Sequence, residues 1–213
     1  MPKKHGTPRK VLAPQKAKPV HDKRLPYSDV PAFLRALRNS GAADGTKDAL
    51  EWLILTATRT NETLGARLSE VREKSATWTV SPERTQSNNE RVVPLSARAL
   101  QIFAACKKRH SGKGDFLFES KPGQPLNNMD LAMQMRRMKS PGVPHGFRYS
   151  FRAWAADRTN ASREGALAHV ADDETGSGRR RTDFLESRRK LMIDWSKYCA
   201  SVGKILKSER TTV

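Results

Sequence analysis

One stretch of this chain alternates apolar with polar side chains, in a sequence where apolar residues otherwise recur every three or four positions. Trp78 and Val80 alternate with polar neighbours, a polar run with two consecutive asparagines follows, and Val92 and Val93 close on Pro94. A period of two marks a half-buried strand, so this segment predicts a β-hairpin with a loose polar tip. The surroundings predict helices. Val30, Phe33, Leu34 and Leu37 share one helical face, with Ser28 or Asp29 as N-cap, Pro31 in the first turn and Gly41 at the end. A second helix is expected over Thr46–Thr58, with Leu50, Leu53, Ile54 and Ala57 on its face, and a helical or turn-like segment continues through Arg59 towards Leu68.

Ser96 is placed to cap a helix carrying Leu100, Phe103 and Ala104, which stops at Gly112 and Gly114. After the short apolar run Phe116–Phe118, further helices are expected from Asn128 to the loop at Ser140–Pro144, over His145–Arg158, and over Glu164–Val170. Ala171–Arg181 is polar and unpatterned and reads as a loop, and Asp183 opens a long helix with Leu185, Met192, Trp195, Cys199 and Val202 on one side. The fold class this predicts is mainly α with a small antiparallel β-sheet.

The 213 residues, 37% of them hydrophobic, suffice for one substantial core. The expected organisation is a basic flexible arm over 1–25, one domain over 26–206 and a tail over 207–213. Residues 1–24 hold eight Lys/Arg against the single acid Asp22, a composition that cannot fold alone and suits either a solvated linker or an arm on phosphates. Over the whole chain 40 Lys+Arg against 22 Asp+Glu give a net charge of +18, which makes nucleic acid the first candidate partner. There is no apolar run of about 18 residues and no signal-peptide core, so no membrane partner and a cytoplasmic location are expected. Cys106 and Cys199 are too few and too far apart for a zinc cluster or a disulfide framework and read as buried thiols; no metal is expected.

Three elements carry candidate chemistry. In ALEWLILTATRTNETLGARLSEV, Arg59 follows an apolar helix with Glu62 three residues on, a placement that suits a structural ion pair or an anion-receiving guanidinium. In HGFRYSFRAWAADRTN, His145 and Arg148 stand at i and i+3, either as a catalytic pair or as surface residues beside the core face of Phe147, Phe151 and Trp154. In ALAHV, His169 follows an apolar stretch and suits a core position or a catalytic one.

Taken in order, an arginine, a hairpin, His-x-x-Arg, Ala-His and a long last helix resemble the tyrosine recombinases and integrases. The flanking strings PYSDVPAFLRAL and TDFLESRRKLMIDWSKYC are similar to integrases of prophages, satellite phages and genomic islands, and the resemblance runs from about Pro26 to Ala200. It implies a tyrosine-recombinase catalytic-domain fold acting on double-stranded DNA, with no metal or cofactor. Arg59 and Arg148 would clamp the non-bridging oxygens of the scissile phosphate, His145 would act as general acid or base, and His169 would hydrogen-bond a phosphate oxygen. A tyrosine would attack to form a 3′-phosphotyrosyl link.

Two positions depart from that pattern. The family's hairpin lysine, which protonates the leaving 5′ oxygen, falls on Gln86 in SPERTQSNNERVVPLS, and the nucleophilic tyrosine falls on Arg179 in GSGRRRTDF. A neutral amide cannot donate that proton and a guanidinium cannot attack phosphate; Arg84 and Arg91 flank the hairpin loop and could compensate in part electrostatically, but are too weakly acidic for efficient general-acid work. Tyr198, in WSKYC, lies where an aromatic packs, and Ser177 has no evident activating base. The family's usual DNA-binding domains are expected before Pro26, where this sequence has a basic arm. The expectation is thus an integrase-family domain defective in cleavage and N-terminally truncated, or alternatively a non-catalytic DNA-binding or regulatory partner of an intact integrase, with other integrase protomers as possible partners. A generic RNA-binding protein fits less well, because no aromatic platform or glycine-rich clamp is evident.

Overall fold

A computed structural model describes residues 24–86, 88–158 and 178–201, and of residues 178–184 the backbone alone. The expectations for residues 1–23, the helix at Glu164–Val170, His169, Ser177 and the tail after residue 206 lie outside the described residues, as does the side chain of Arg179. Seven helices and five short strands are described: α1 Val30–Arg38, α2 Asp44–Thr56, α3 Thr60–Leu64, β1 Val71–Arg72, β2 Thr77–Val80, β3 Arg91–Pro94, α4 Ala97–Arg109, β4 Glu119–Lys121, β5 Gln124–Pro125, α5 Asn128–Arg137, α6 Gly146–Arg158 and α7 Gly178–Ala200.

Helix α2 is the axis of the fold. Every residue from Ala49 to Thr56 is buried, and α1, α3, α4, α5, α6 and α7 all pack against it. A helix that is apolar all round must be enclosed on all sides. The one acid in that buried run, Glu51, is 2% exposed and is gripped from both sides: Arg38 of α1 donates at 3.1 and 2.6 Å, and Arg98 of α4 at 2.6 and 3.0 Å. Burial opposes ionisation of Glu51, but the hydrogen bonds from Arg98 and Arg38 outweigh it and hold the carboxyl below its ordinary range.

The helical spacing in α1 holds: Val30, Phe33, Leu34 and Leu37 are buried. Its N-cap differs in kind, since Asp29 occupies the position without a side-chain cap bond and a 3-10 turn, Tyr27–Asp29, leads in. Helix α2 starts two residues before the expected Thr46 and stops at Thr56, because Ala57 turns into the left-handed region (φ 50, ψ 34). Ser96 caps α4, accepting from Ala99 N at 3.3 Å, and Asn127 caps α5, accepting from Asp130 N at 3.0 Å.

The hairpin is antiparallel, with Trp78 opposite Val93 and Val80 opposite Arg91, and β1 adds a third strand that the sequence pattern did not announce. The small β4–β5 hairpin was likewise unannounced. The long last helix begins at Gly178, inside the segment expected to be a loop through Arg181. Its first turn, Gly-Arg-Arg-Arg, has no apolar residue to carry a period, whereas arginine itself favours helix. Met192, Trp195 and Cys199 of α7 are buried as the spacing predicts, Leu185 is half-buried, and Val202 lies outside the described residues. Trp195 Nε1 donates to Ile54 O in the last turn of α2 at 2.8 Å, tying the two helices end to side. Cys106 and Cys199 are both buried, and burial pushes the Cys106 thiol up to about 12. No described helix is long and apolar enough to cross a membrane.

Candidate functional site

The corner between α2 and α3 creates the site. Thr56 Oγ1 donates to Trp52 O at 2.7 Å, and hydroxyl contacts of 2.8 and 2.9 Å link Thr56 to Thr58 and Thr58 to Thr63, all buried. This relay fixes the chain where it leaves α2, so Arg59 emerges at the N-terminus of α3 in one orientation. Glu62, wholly buried, accepts from Arg59 N at 2.7 Å and from Arg59 Nη1 at 3.1 Å. The left-handed turn at Ala57 aims its carbonyl at α6, where Arg148 Nη1 donates to it at 2.9 Å. One corner thus anchors two arginines 89 positions apart in sequence.

Arg59, Gln86, His145 and Arg148 line a single cleft of about 630 Å³. Three of the four residues expected to form the site therefore share one concavity; the fourth, His169, lies outside the described residues. Gln86 comes from the hairpin tip, and its amide oxygen accepts from Arg59 Nη2 at 2.9 Å. His145 is exposed at the mouth, one residue before α6 rather than inside it. Arg148 is deeper. Burial, then the nearby charges of Arg91 and Arg59, push its pKa down to about 10, against the opposing pull of Glu62. Holding it charged in this buried, positive setting costs on the order of 3 kcal/mol, part of which a bound anion would recover.

Two further arginines line the cleft: Arg152 was not singled out from the sequence, and Arg84 was noted there only as flanking the hairpin loop. Arg152 lies one turn beyond Arg148, and the spacing of His145, Arg148 and Arg152 at i, i+3 and i+7 on one helical face was the signal for it. Arg84 also lines the cleft but is committed to the scaffold: it donates to Ser81 Oγ at 3.2 Å, to the carbonyls of Glu62 and Gly65 at 3.3 and 2.6 Å, and to Glu70. Arg91 donates to Glu62 at 2.5 Å and is 6% exposed, so it faces inward behind the cleft. Tyr198 packs against Trp195 and Trp154 and donates to Tyr27 O at 3.2 Å, and it does not line the cleft. The described residues contain no group of three or more His, Cys, Asp or Glu that could hold a metal ion.

The description "Phage integrase family" matches residues 23–160, which span the corner, the hairpin and the His145–Arg148 helix. The chain belongs to the phage integrase family. Among curated members, prophage integrase IntA of Escherichia coli (strain K12) is 32% identical over 78% of this chain and 42% of its own length. Prophage integrase IntZ of the same strain is 30% identical over 84% of the chain and 45% of its own length. This integrase-family chain therefore spans less than half the length of these relatives. In fold it is similar to the Tn1549 transposon integrase in complex with transposon right end DNA, with a TM-score of 0.60 at 17% identity over 85% of this chain and 68% of that one. It is also similar to a lambda integrase dimer bound to a core site, with a TM-score of 0.54 at 17% identity over 76% of this chain and 63% of that one. The fold is that of tyrosine recombinase catalytic domains.

Proposed function

We propose that this integrase-family domain grips a backbone phosphate of double-stranded DNA without completing strand cleavage. The observation that carries the reading is the cleft itself: Arg59, Arg148, Arg152 and His145 line it, and no carboxylate does among the described residues. Two guanidinium groups fixed by the protein present paired donors to non-bridging oxygens and need no reorganisation when charge grows on the phosphorus. In this reading Arg59 and Arg148 hold the phosphate, His145 stands where a proton is exchanged, and His169 supplies a further hydrogen bond. Cleavage fails on two counts. Gln86 cannot protonate a leaving 5′ oxygen, and at Arg179 there is no oxygen to attack in line.

A second reading, a regulatory or DNA-occupying partner of intact integrases, is favoured by the Arg59–Gln86 bond. The amide serves as an acceptor for the clamp, a role suited to holding an anion rather than to turning it over. Other integrase protomers are the partners this reading adds, supported by the dimeric state of the similar lambda integrase.

Titration of a fluorescent duplex over several salt concentrations tests the grip. Arg59→Ala and Arg148→Ala are each expected to reduce the slope of log affinity against log salt by about 1. A nicked suicide duplex tests turnover, and no denaturation-resistant adduct is expected. Unchanged slopes in both variants overturn the phosphate grip, and an adduct formed by the unaltered chain overturns the cleavage defect.

A further inference from the structure

The cleft's positive charge has a source behind it. Glu62 is 0% exposed and its two oxygens receive three donors: Oε1 takes Arg59 Nη1 at 3.1 Å, while Oε2 takes Arg59 N at 2.7 Å and Arg91 Nη2 at 2.5 Å. Arg91 is 6% exposed, whereas the Arg59 side chain is 40% exposed. Coulomb attraction grows as separation and effective dielectric fall, so the shorter and more deeply buried contact takes the larger share of the carboxylate's charge. That contact is Arg91–Glu62.

We propose that Arg91 is a positioning residue for the phosphate grip: by neutralising Glu62 from behind, it leaves the charge of Arg59 available to an anion in the cleft. The proposal rests on the reading of the cleft as a phosphate site. Without Arg91, Arg59 would be the one cation in direct side-chain contact with Glu62 among the described residues, and that pair would face the cleft as a neutral unit. With Arg91, the three groups sum to one positive charge, displayed on the exposed member. Two further observations agree. Arg91 stands first among the neighbouring charges that depress Arg148, so its field reaches the cleft although its side chain does not line it. Its Nε is buried with no hydrogen-bond partner among the described residues, so Glu62 is the described hydrogen-bond partner of that guanidinium.

The same salt titration of a fluorescent duplex, run on the full chain, tests this with Arg91→Met, Arg91→Lys, Glu62→Gln and the double variant Arg91→Met/Glu62→Gln. Thermal unfolding and near-ultraviolet dichroism report whether each folds. Arg91→Met is expected to lower the salt slope by about 1, as far as Arg59→Ala does, despite being shielded from DNA. Arg91→Lys retains the slope, and the double variant restores it, because removing cation and carboxylate together frees Arg59 again. A structural role predicts instead that the double variant binds no better than Arg91→Met. Where Arg91→Met does not fold, the double variant carries the test alone, with a slope like the parent expected and a lost slope overturning the proposal. If Arg59→Ala itself leaves the slope unchanged, the phosphate reading of the cleft has failed. If Arg59→Ala lowers the slope and Arg91→Met does not, this inference alone has failed.

Discussion

Arg59 donates to the amide oxygen of Gln86 at 2.9 Å, tying the hairpin tip to the α2–α3 corner through a bond that an ammonium group cannot accept. Charge at position 86 should therefore register directly in DNA binding. Gln86→Glu is expected to pair with Arg59 and lower the salt slope by about 1, and Gln86→Lys to raise it by about 1. Identical slopes for the two would place residue 86 away from the DNA. Gln86→Lys alone should still yield no adduct on a suicide duplex, whereas its combination with Arg179→Tyr supplies both missing groups and is expected to yield a trace.

Glu51 makes stability depend on acid. Its folded pKa lies below the value of the unfolded chain, so its contribution is fully present above the ordinary carboxylate range and is lost as pH falls through the depressed value. Glu51→Gln should cost about 2 kcal/mol at neutral pH, less than the ~3–5 kcal/mol of a fully buried broken pair, because both arginines reach solvent. Thermal melts at neutral pH should show a drop of roughly 4–8 °C. The gap between variant and parent should narrow as the pH is lowered through the carboxylate range.

Gly65 is required by contact. A Cβ there would lie 2.7 Å from Arg84 Cδ, and Arg84 cannot swing aside without giving up its bonds to Ser81, Glu70 and two carbonyls. Gly65→Ala should destabilise by about 1–3 kcal/mol, measured by urea unfolding. Pairing it with Arg84→Ala, which removes the obstacle, should cost less than the sum of the two single changes.

Trp195→Phe deletes the indole N–H that reaches Ile54 O. The expected loss is about 1–2 kcal/mol from the missing hydrogen bond and reduced volume. Hydrogen exchange should show it first in the last turn of α2, and an effect confined to α7 would contradict the tie.

Much of the frame was legible because its periods are local. The hairpin's alternation and the α1 and α7 spacings each depend on a single element meeting the core; the hairpin and α1 faces were placed correctly, and of the α7 face Met192, Trp195 and Cys199 are buried while Leu185 is partly so. What stayed silent is long-range. Glu51 gains its partners from positions 13 and 47 residues away, and β1 is two residues long, too short for any period. The start of α7 was missed because Arg179–Arg181 include no apolar residue from which a period can be read. At the cleft, types and order pointed to Arg59, His145 and Arg148, but nothing local distinguishes Arg91 from any other arginine on a strand. Its role appears only when Glu62, 29 residues earlier, is folded against it.

The hooks on α2 also set an order of events during synthesis. The carbonyls of Ile54 and Ala57 wait for donors at Trp195 and Arg148, which emerge 141 and 91 residues later. At ordinary translation speeds the longer wait is on the order of ten seconds. A nascent chain that has passed the ribosome as far as the hairpin already carries Arg59 and Gln86, yet it lacks the second arginine and the helix that seals the corner. The grip is therefore a property of the finished chain.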